Sequence, residues 1–218
     1  MKFFVDSADT NAVRKCLYTG LVDGVTTNPS LAAKAGRDYF QLLQEMSSIV
    51  DGPISAEVTA ADTPGMLRQA TKLLEIGTNI VIKLPMSWAG LNACQTLTRQ
   101  GARTNVTLCF SVLQAIAAAR SGATYVSPFV GRIDDTGHDG MALIEEITKA
   151  FQHYGFSTQV LAASVRSTVH IRGCALAGAH VVTLPPELLQ SMISHPLTTT
   201  GIEQFNIDWA STGQTLPE

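Results

Sequence analysis

Apolar and polar positions divide this chain into short apolar runs alternating with longer amphipathic ones. The apolar runs fall at 2–6, 21–25, 54–59, 79–85, 104–108, 124–127, 158–163 and 179–183, several of them rich in β-branched residues, and each predicts a strand. Between and after them, helices are predicted over 10–18, 39–50, 63–76, 89–100, 111–121, 140–154, 167–177 and 186–193. The helix over 39–50 carries apolar residues at 39, 40, 42, 43, 46, 49 and 50, a period of 3.6 residues. The punctuation agrees. Ser7 and Asp9 stand where a helix cap belongs, Pro64 takes a first helical position, and glycines follow several helix ends (Gly20, Gly77, Gly101, Gly122, Gly178). Residues 26–30 and 128–139 read as loops, and 51–53 as a turn.

Eight strands, each followed by a helix, imply parallel strands joined by right-handed crossovers. Eight such units in 218 residues predict a compact (β/α)8 TIM barrel, a fold that runs from about 200 residues upward. The alternative is a doubly wound open sheet. That fold usually carries a Gly-rich phosphate loop after its first strand, and neither GxGxxG nor GxxxxGK[ST] is present. No linker or low-complexity segment interrupts the pattern, so residues 1–218 are expected to form one domain. A further helix over 200–210, with Ile202, Phe205 and Trp209 on one side, falls in a C-terminal helix and tail (198–218) outside the eight units.

Composition narrows the function classes. A net charge of −3 and the lack of any basic run argue against nucleic acid and anionic membrane as partners. The first residues meet an acid at Asp6, too early for the apolar region of a signal peptide, and no apolar run approaches membrane-spanning length. Cys16, Cys94, Cys109 and Cys174 form no CxxC pair and read as small core residues, which together place the chain in the cytoplasm by expectation. The five histidines form no HxxxH or HExxH pattern, so no metal site is expected, and no GxSxG elbow supports a serine hydrolase. Cys109 has no histidine at a recognisable spacing and reads as inert. Asp134 and Asp135 in the 128–139 loop read as turn or capping residues; His138 in the same loop reads as a helix-entry residue, with contact to substrate near the barrel mouth as the other reading.

One residue is out of place. Lys83 stands inside Asn79-Ile80-Val81-Ile82-Lys83-Leu84-Pro85, where a strand normally carries Val or Ile. Desolvation disfavours a charged ammonium, which would lower its pKa and free the amine as a nucleophile; ion pairing, or a side chain reaching solvent from the strand end, are the other readings. The other lysines considered (Lys2, Lys15, Lys34, Lys72, Lys149) fall on a terminus, helices or loops. Barrel enzymes carry their chemistry at the C-terminal ends of the strands. Those ends supply Asp6, then Thr26 and Asn28, Glu57, Lys83, Asn105 and Thr107, Ser127 and Arg132, and Ser164 and Arg166. A neutral amine condenses with a ketone to give an iminium, an electron sink for breaking an adjacent carbon–carbon bond. Asp6 and Glu57 meet the acid/base requirement of that step, and two arginines fit a phosphate clamp. The pocket reads as built for a phosphorylated keto-sugar.

Five stretches, GVTTNPSL (24–31), VIKLP (81–85), NVTLCFS (105–111), SPFVGRIDD (127–135) and LAASVR (161–166), closely resemble the short bacterial transaldolases. These belong to the class I aldolase superfamily, alongside the fructose-6-phosphate aldolases. The resemblance implies a Schiff base on Lys83, with Asp6 as the proton-transferring acid/base. It also implies that Glu57 works with a water oriented by Thr107 in forming and breaking the carbinolamine. Asn28, Asn105 and Ser127 would contact substrate hydroxyls or the lysine, and Arg132, Ser164 and Arg166 the phosphate, with no metal and no organic cofactor. The aldolases of the family look like carrying Gln at the position of Glu57 and Tyr at that of Phe129; Glu57 with Phe129 is similar to the transaldolase pattern. A phenyl ring cannot position water to protonate the enamine, so the three-carbon unit would persist until an aldose phosphate captures it. The implied reaction passes a dihydroxyacetone unit from sedoheptulose 7-phosphate or fructose 6-phosphate to glyceraldehyde 3-phosphate or erythrose 4-phosphate. A lyase of the fructose-6-phosphate aldolase type and a non-catalytic sugar-phosphate binding barrel are the alternatives. The apolar side of the helix over 200–210 reads most plainly as a cap on its own barrel, whereas in the short transaldolases a helix here is expected to pack on a neighbouring subunit, which implies a homo-oligomer, a pentamer or a decamer.

Overall fold

The computed structural model describes residues 1–216 and is a closed barrel of eight parallel strands paired in chain order, β1 returning to β8. The strands are β1 (Lys2–Asp6), β2 (Gly24–Thr26), β3 (Ile54–Glu57), β4 (Ile80–Pro85), β5 (Thr104–Cys109), β6 (Tyr125–Pro128), β7 (Gln159–Ala162) and β8 (Val181–Leu184). The helices are α1 (Thr10–Leu17), α2 (Pro29–Ala35), α3 (Tyr39–Ile49), α4 (Thr63–Leu74), α5 (Trp88–Arg99), α6 (Val112–Arg120), α7 (Val130–Asp134), α8 (Gly140–Tyr154), α9 (Thr168–Leu176), α10 (Pro186–Ser191) and α11 (Pro196–Ser211). The (β/α)8 TIM barrel expected from the alternation is the fold observed. Residues 217 and 218 of the expected tail lie outside the described residues.

Strand periodicity makes two cores. Residues facing outward (Val5, Val25, Ile82, Leu84, Val106, Val126, Val182) join the helices in the larger apolar cluster, while Phe4, Val81, Tyr125, Leu161, Ala163 and Val181 pack inside the barrel. The Phe4 and Tyr125 rings meet edge to face at 5.9 Å. Gly24 on β2 is the residue that lets the Phe4 ring in, since a Cβ there would lie 2.8 Å from it. Two residues further along four of these strands, the inward position turns polar: Asp6 after Phe4, Lys83 after Val81, Ser127 after Tyr125, Thr183 after Val181. The lumen thus has an apolar floor and a polar mouth, the mouth lying at the C-terminal ends of the strands.

Two helices fall where loops were expected. Asn28 caps α2 by accepting from the Leu31 N–H, with Pro29 at its first position, and α7 occupies the first half of the 128–139 stretch. Both are short, seven and five residues, too brief for a periodic signal. The strand expected over 21–25 shrinks to Gly24–Thr26, because Asp23 is engaged at the base of β1, its carboxylate accepting from the Phe3 N–H. The C-terminal helix begins at Pro196, earlier than 200, with His195 as its cap. None of its residues is buried, so it does not cap its own barrel. The four cysteines are free and buried, as core residues should be.

Candidate active site

Lys83 occupies the middle of the mouth. Outward neighbours Ile82 and Leu84 anchor β4 in the helix layer, so alternation turns Lys83 into the lumen, where it is buried. Its Nζ donates to the Thr27 carbonyl at 3.0 Å and lies 3.0 Å from Glu57 Oε2. The Glu57 pairing follows from register, since Glu57 stands opposite Lys83 across β3 and β4. An ammonium has three protons, and two are accounted for by these partners; the side chain also lines the cavity. That cavity, of about 140 Å³, is lined by Asp6, Thr26, Asn28, Lys83, Thr107, Ser127, Phe129, Arg132, Ala163, Ser164 and Thr183.

Asp6 lies across the cavity, on β1. Burial raises its pKa, while a hydrogen bond from Thr26 and the charge of Lys83 pull the other way. Thr26 Oγ1 donates to Asp6 Oδ1 at 2.7 Å. Thr107 is buried, and its Oγ1 has no hydrogen-bond partner among the described residues, although it lines the cavity. A buried hydroxyl of that kind is a ready contact for a ligand or a water. Asn28 spends its side-chain oxygen on the α2 cap, which leaves its amide N–H2 as the donor it offers the cavity.

One side of the mouth is built by α7 and the end of β7. The Arg132 guanidinium stacks over the Phe129 ring, 4.9 Å from its centroid, and Ser164 faces the same mouth. Ser164 adopts a left-handed backbone (φ 57°), rare for a non-glycine residue and typical of strained functional positions. Its carbonyl accepts from the Gly131 N–H at 3.0 Å, tying α7 to β7.

Three of the expected site residues do not line the cavity. Glu57 stands behind Lys83. Asn105 is fully buried beneath the mouth, donating from Nδ2 to Ser55 Oγ at 3.1 Å and accepting from Ser127 Oγ at 2.8 Å. It braces the strands on both sides of the lysine. Arg166 turns outward and forms a two-pronged pair with Asp135, whose carboxyl it holds below its ordinary range. Sequence reasoning missed Thr183 and Tyr39. Thr183 closes the eighth strand, whose end went unread although the same alternation marks it. Tyr39 begins α3, and its hydroxyl accepts from the Glu57 N–H at 3.0 Å and lies 3.1 Å from Thr27 Oγ1, bracing both partners of Lys83. No strand-end rule points to a helix residue.

The rival nucleophiles are quiet. Burial pushes the Cys109 thiol up to about 12, far from a thiolate at neutral pH. His138 bonds Thr136 at the surface, while Asp134 accepts from the Gly140 N–H at the start of α8. Among the described residues no group of three or more His, Cys, Asp and Glu side chains is placed to hold a metal ion, and no helix is long and apolar enough to cross a membrane.

The sequence profile of the family described as Transaldolase/Fructose-6-phosphate aldolase matches residues 3–216. A protein of Chelativorans sp. (strain BNC1) named "Probable transaldolase" is 54% identical over 216 residues, 99% of this chain and 100% of that one. Proteins of the same name from Rhizobium meliloti (strain 1021) and Maricaulis maris (strain MCS10) are 55% and 52% identical over the same span and coverage.

Proposed function

The chain belongs to the transaldolase/fructose-6-phosphate aldolase family and is a transferase, and from that premise we propose that it passes a dihydroxyacetone unit between sugar phosphates through a Schiff base on Lys83. The observation that carries this reading is the buried lysine itself. Its Nζ stands between a carboxylate and a carbonyl at 3.0 Å each and opens on a cavity that also holds Asp6.

Glu57 takes a proton from the Lys83 ammonium, and the freed amine attacks the ketose carbonyl carbon. The carbinolamine then loses water, for which Glu57 and the Thr107 hydroxyl supply the acid and the orienting group. The iminium withdraws electrons as Asp6 takes the proton of the hydroxyl next to the breaking bond. The carbon–carbon pair moves into the enamine, and an aldose phosphate departs. A second aldose phosphate enters, the enamine carbon attacks its aldehyde, and Asp6 returns the proton to the new hydroxyl. Hydrolysis of the iminium releases the product ketose.

Phe129 forms the wall beside this intermediate without a polar atom to activate water, which favours capture by an aldehyde over release. Asn28 and Ser127 meet substrate hydroxyls, Asn105 positions Ser127, and Arg132 with Ser164 receives the phosphate. Arg166 joins them by exchanging Asp135 for a phosphate oxygen. Sedoheptulose 7-phosphate or fructose 6-phosphate is the donor, and glyceraldehyde 3-phosphate or erythrose 4-phosphate the acceptor. The reaction runs in the cytoplasm, as a step of the pentose phosphate pathway, in a homo-oligomer. The chain forms a single domain, with α11 reaching a neighbouring copy.

Borohydride trapping tests the chemistry. Incubation with fructose 6-phosphate, reduction and peptide mapping yield a three-carbon adduct on Lys83. Lys83→Met abolishes the adduct and lowers transfer by about 10⁴-fold or more. Wild-type protein that gives no adduct on any lysine, yet binds the sugar phosphate, is a binding barrel in which the Lys83–Glu57 pair is permanent.

A further inference from the structure

Thr183 and Thr26 are the polar side chains lining the cavity, among the described residues, that the mechanism leaves without a task, and Thr183 is the one that does not touch Asp6. It sits on the strand that closes the barrel, paired with Phe4 across β1 and β8, and is 3% exposed. Its Oγ1 is 2.7 Å from Thr26 Oγ1, and Thr26 Oγ1 donates to Asp6 Oδ1 at 2.7 Å. A hydroxyl has one proton to give. Thr26 gives its own to the carboxylate, so the proton between the two threonines belongs to Thr183. The chain therefore runs in one direction, from Thr183 to Thr26 to Asp6, and hydrogen bonds in such a series polarise one another.

We propose that Thr183 is a positioning residue of the transfer reaction: through Thr26 it pins Asp6 by Oδ1 and leaves Oδ2 as the atom that takes and returns the substrate proton. The inference rests on the reading of Asp6 as acid/base. In the cleavage step the substrate O–H bond breaks and an Oδ2–H bond forms while the carbon–carbon pair enters the enamine. On capture of the acceptor, the Oδ2–H bond breaks and the proton goes to the new hydroxyl oxygen. The two relay protons stay where they are, so the carboxylate returns to its starting state after each transfer.

The charged groups around Asp6 come from other elements: Lys83 of β4, with Glu57 of β3 behind it, and Arg132 of α7 at the mouth. Thr26 and Thr183 are neutral. Removing the Thr183 hydroxyl thus leaves every neighbouring charge in place, and a change in Asp6 titration reports the relay alone.

The experiment compares full-length wild type with Thr183→Val, Thr183→Ser and Asp6→Asn in transfer from fructose 6-phosphate to erythrose 4-phosphate across pH. Valine keeps the branched shape and deletes the hydroxyl. Its kcat falls about tenfold, the size of effect that the loss of one supporting hydrogen bond produces, with KM within about twofold. The acid limb of its kcat profile moves to higher pH, because the carboxylate loses part of its hydrogen-bond support. Thr183→Ser restores both rate and limb. Borohydride trapping on Lys83 proceeds in Thr183→Val to the wild-type extent, which distinguishes a lost relay from a disturbed barrel. The proposal is overturned by an unmoved acid limb, by a loss carried wholly in KM, by loss of trapping, or by a serine variant as poor as valine. Wild-type turnover by Asp6→Asn would remove the acid/base reading and this inference with it. An inactive Asp6→Asn beside a Thr183→Val of wild-type rate and pH profile removes only the inference.

Discussion

At the scale of the residue, the site is a set of polar groups held against their solvation. Asp6 is the clearest case. Burial raises its pKa more than Thr26 and Lys83 lower it, so the folded chain holds the proton more tightly than the unfolded chain does. The stability this group contributes is full below the unfolded-state pKa of about 3.9 and is lost as pH rises through the higher folded value. At neutral pH the buried carboxylate therefore costs stability. Asp6→Asn is expected to raise Tm at pH 7 and to have no such advantage in acid, while kcat falls by about 10²–10⁴-fold. Thermal melts at both pH values, beside a transfer assay, check this; a lower Tm at pH 7 contradicts it. In the wild type the same shift is expected to move the acid limb of kcat to higher pH than an unburied aspartate would give.

At the scale of the element, the decisive device is the step from floor to mouth along each strand. Phe4, Val81, Tyr125 and Val181 fill the lumen, and the next inward position delivers a functional group. β5 departs from this by a register shift between Val106 and Cys109, with Leu108 at φ 59°. Thr107 keeps the inward place that alternation gives it, and the bulge after it returns Cys109 to the outer core. Helix α7 depends on a close approach of the same kind. A Cβ on Gly131 would stand 2.5 Å from the Ser164 carbonyl oxygen and 2.6 Å from Arg166 Nε. Gly131→Ala forces α7 off the end of β7 and carries Arg132 away from Ser164. KM for a phosphorylated donor is expected to rise by about tenfold or more, given the sensitivity of bound geometry to displacements near 1 Å. Steady-state kinetics with fructose 6-phosphate reads this, and an unchanged KM would remove α7 from phosphate binding.

At the scale of the whole molecule, the barrel is complete and α11 is not. Leu197, Ile202, Phe205, Ile207 and Trp209 all point into solvent, Phe205 at 74% exposure, on a helix with no buried residue. A run of apolar side chains of this extent on an exposed helix marks an interaction surface. The proposed homo-oligomer supplies the missing partner. Phe205→Glu places a charge at the centre of that surface and is expected to reduce the sedimenting species to a smaller one at micromolar concentration, with the barrel fold retained by circular dichroism. A wild-type protein that sediments as a monomer contradicts the assembly.

Most of the fold was legible in the chain itself, because the signals are local. Strand and helix periods differ, caps and glycines mark the ends, and eight alternating units leave few topologies. Lys83 was legible for the same reason, as a charge inside an apolar run. The strand-end rule also reached Asp6, Thr26, Asn28, Thr107, Ser127, Arg132 and Ser164, all of which line one cavity. The rest depends on groups far apart in sequence. Only the closed barrel brings Thr183 beside Thr26, 157 residues away, and only the β5–β6 register sends Asn105 to brace Ser127. Arg166 lies in the expected motif, yet the fold gives it Asp135. Tyr39 reaches Glu57 from a helix, and the helices α2 and α7 are too short to leave a periodic signal in the chain. Local pattern determined which elements form and which residues are out of place; pairing and closure decided which of them meet, since distance along the chain carries no record of distance across a barrel.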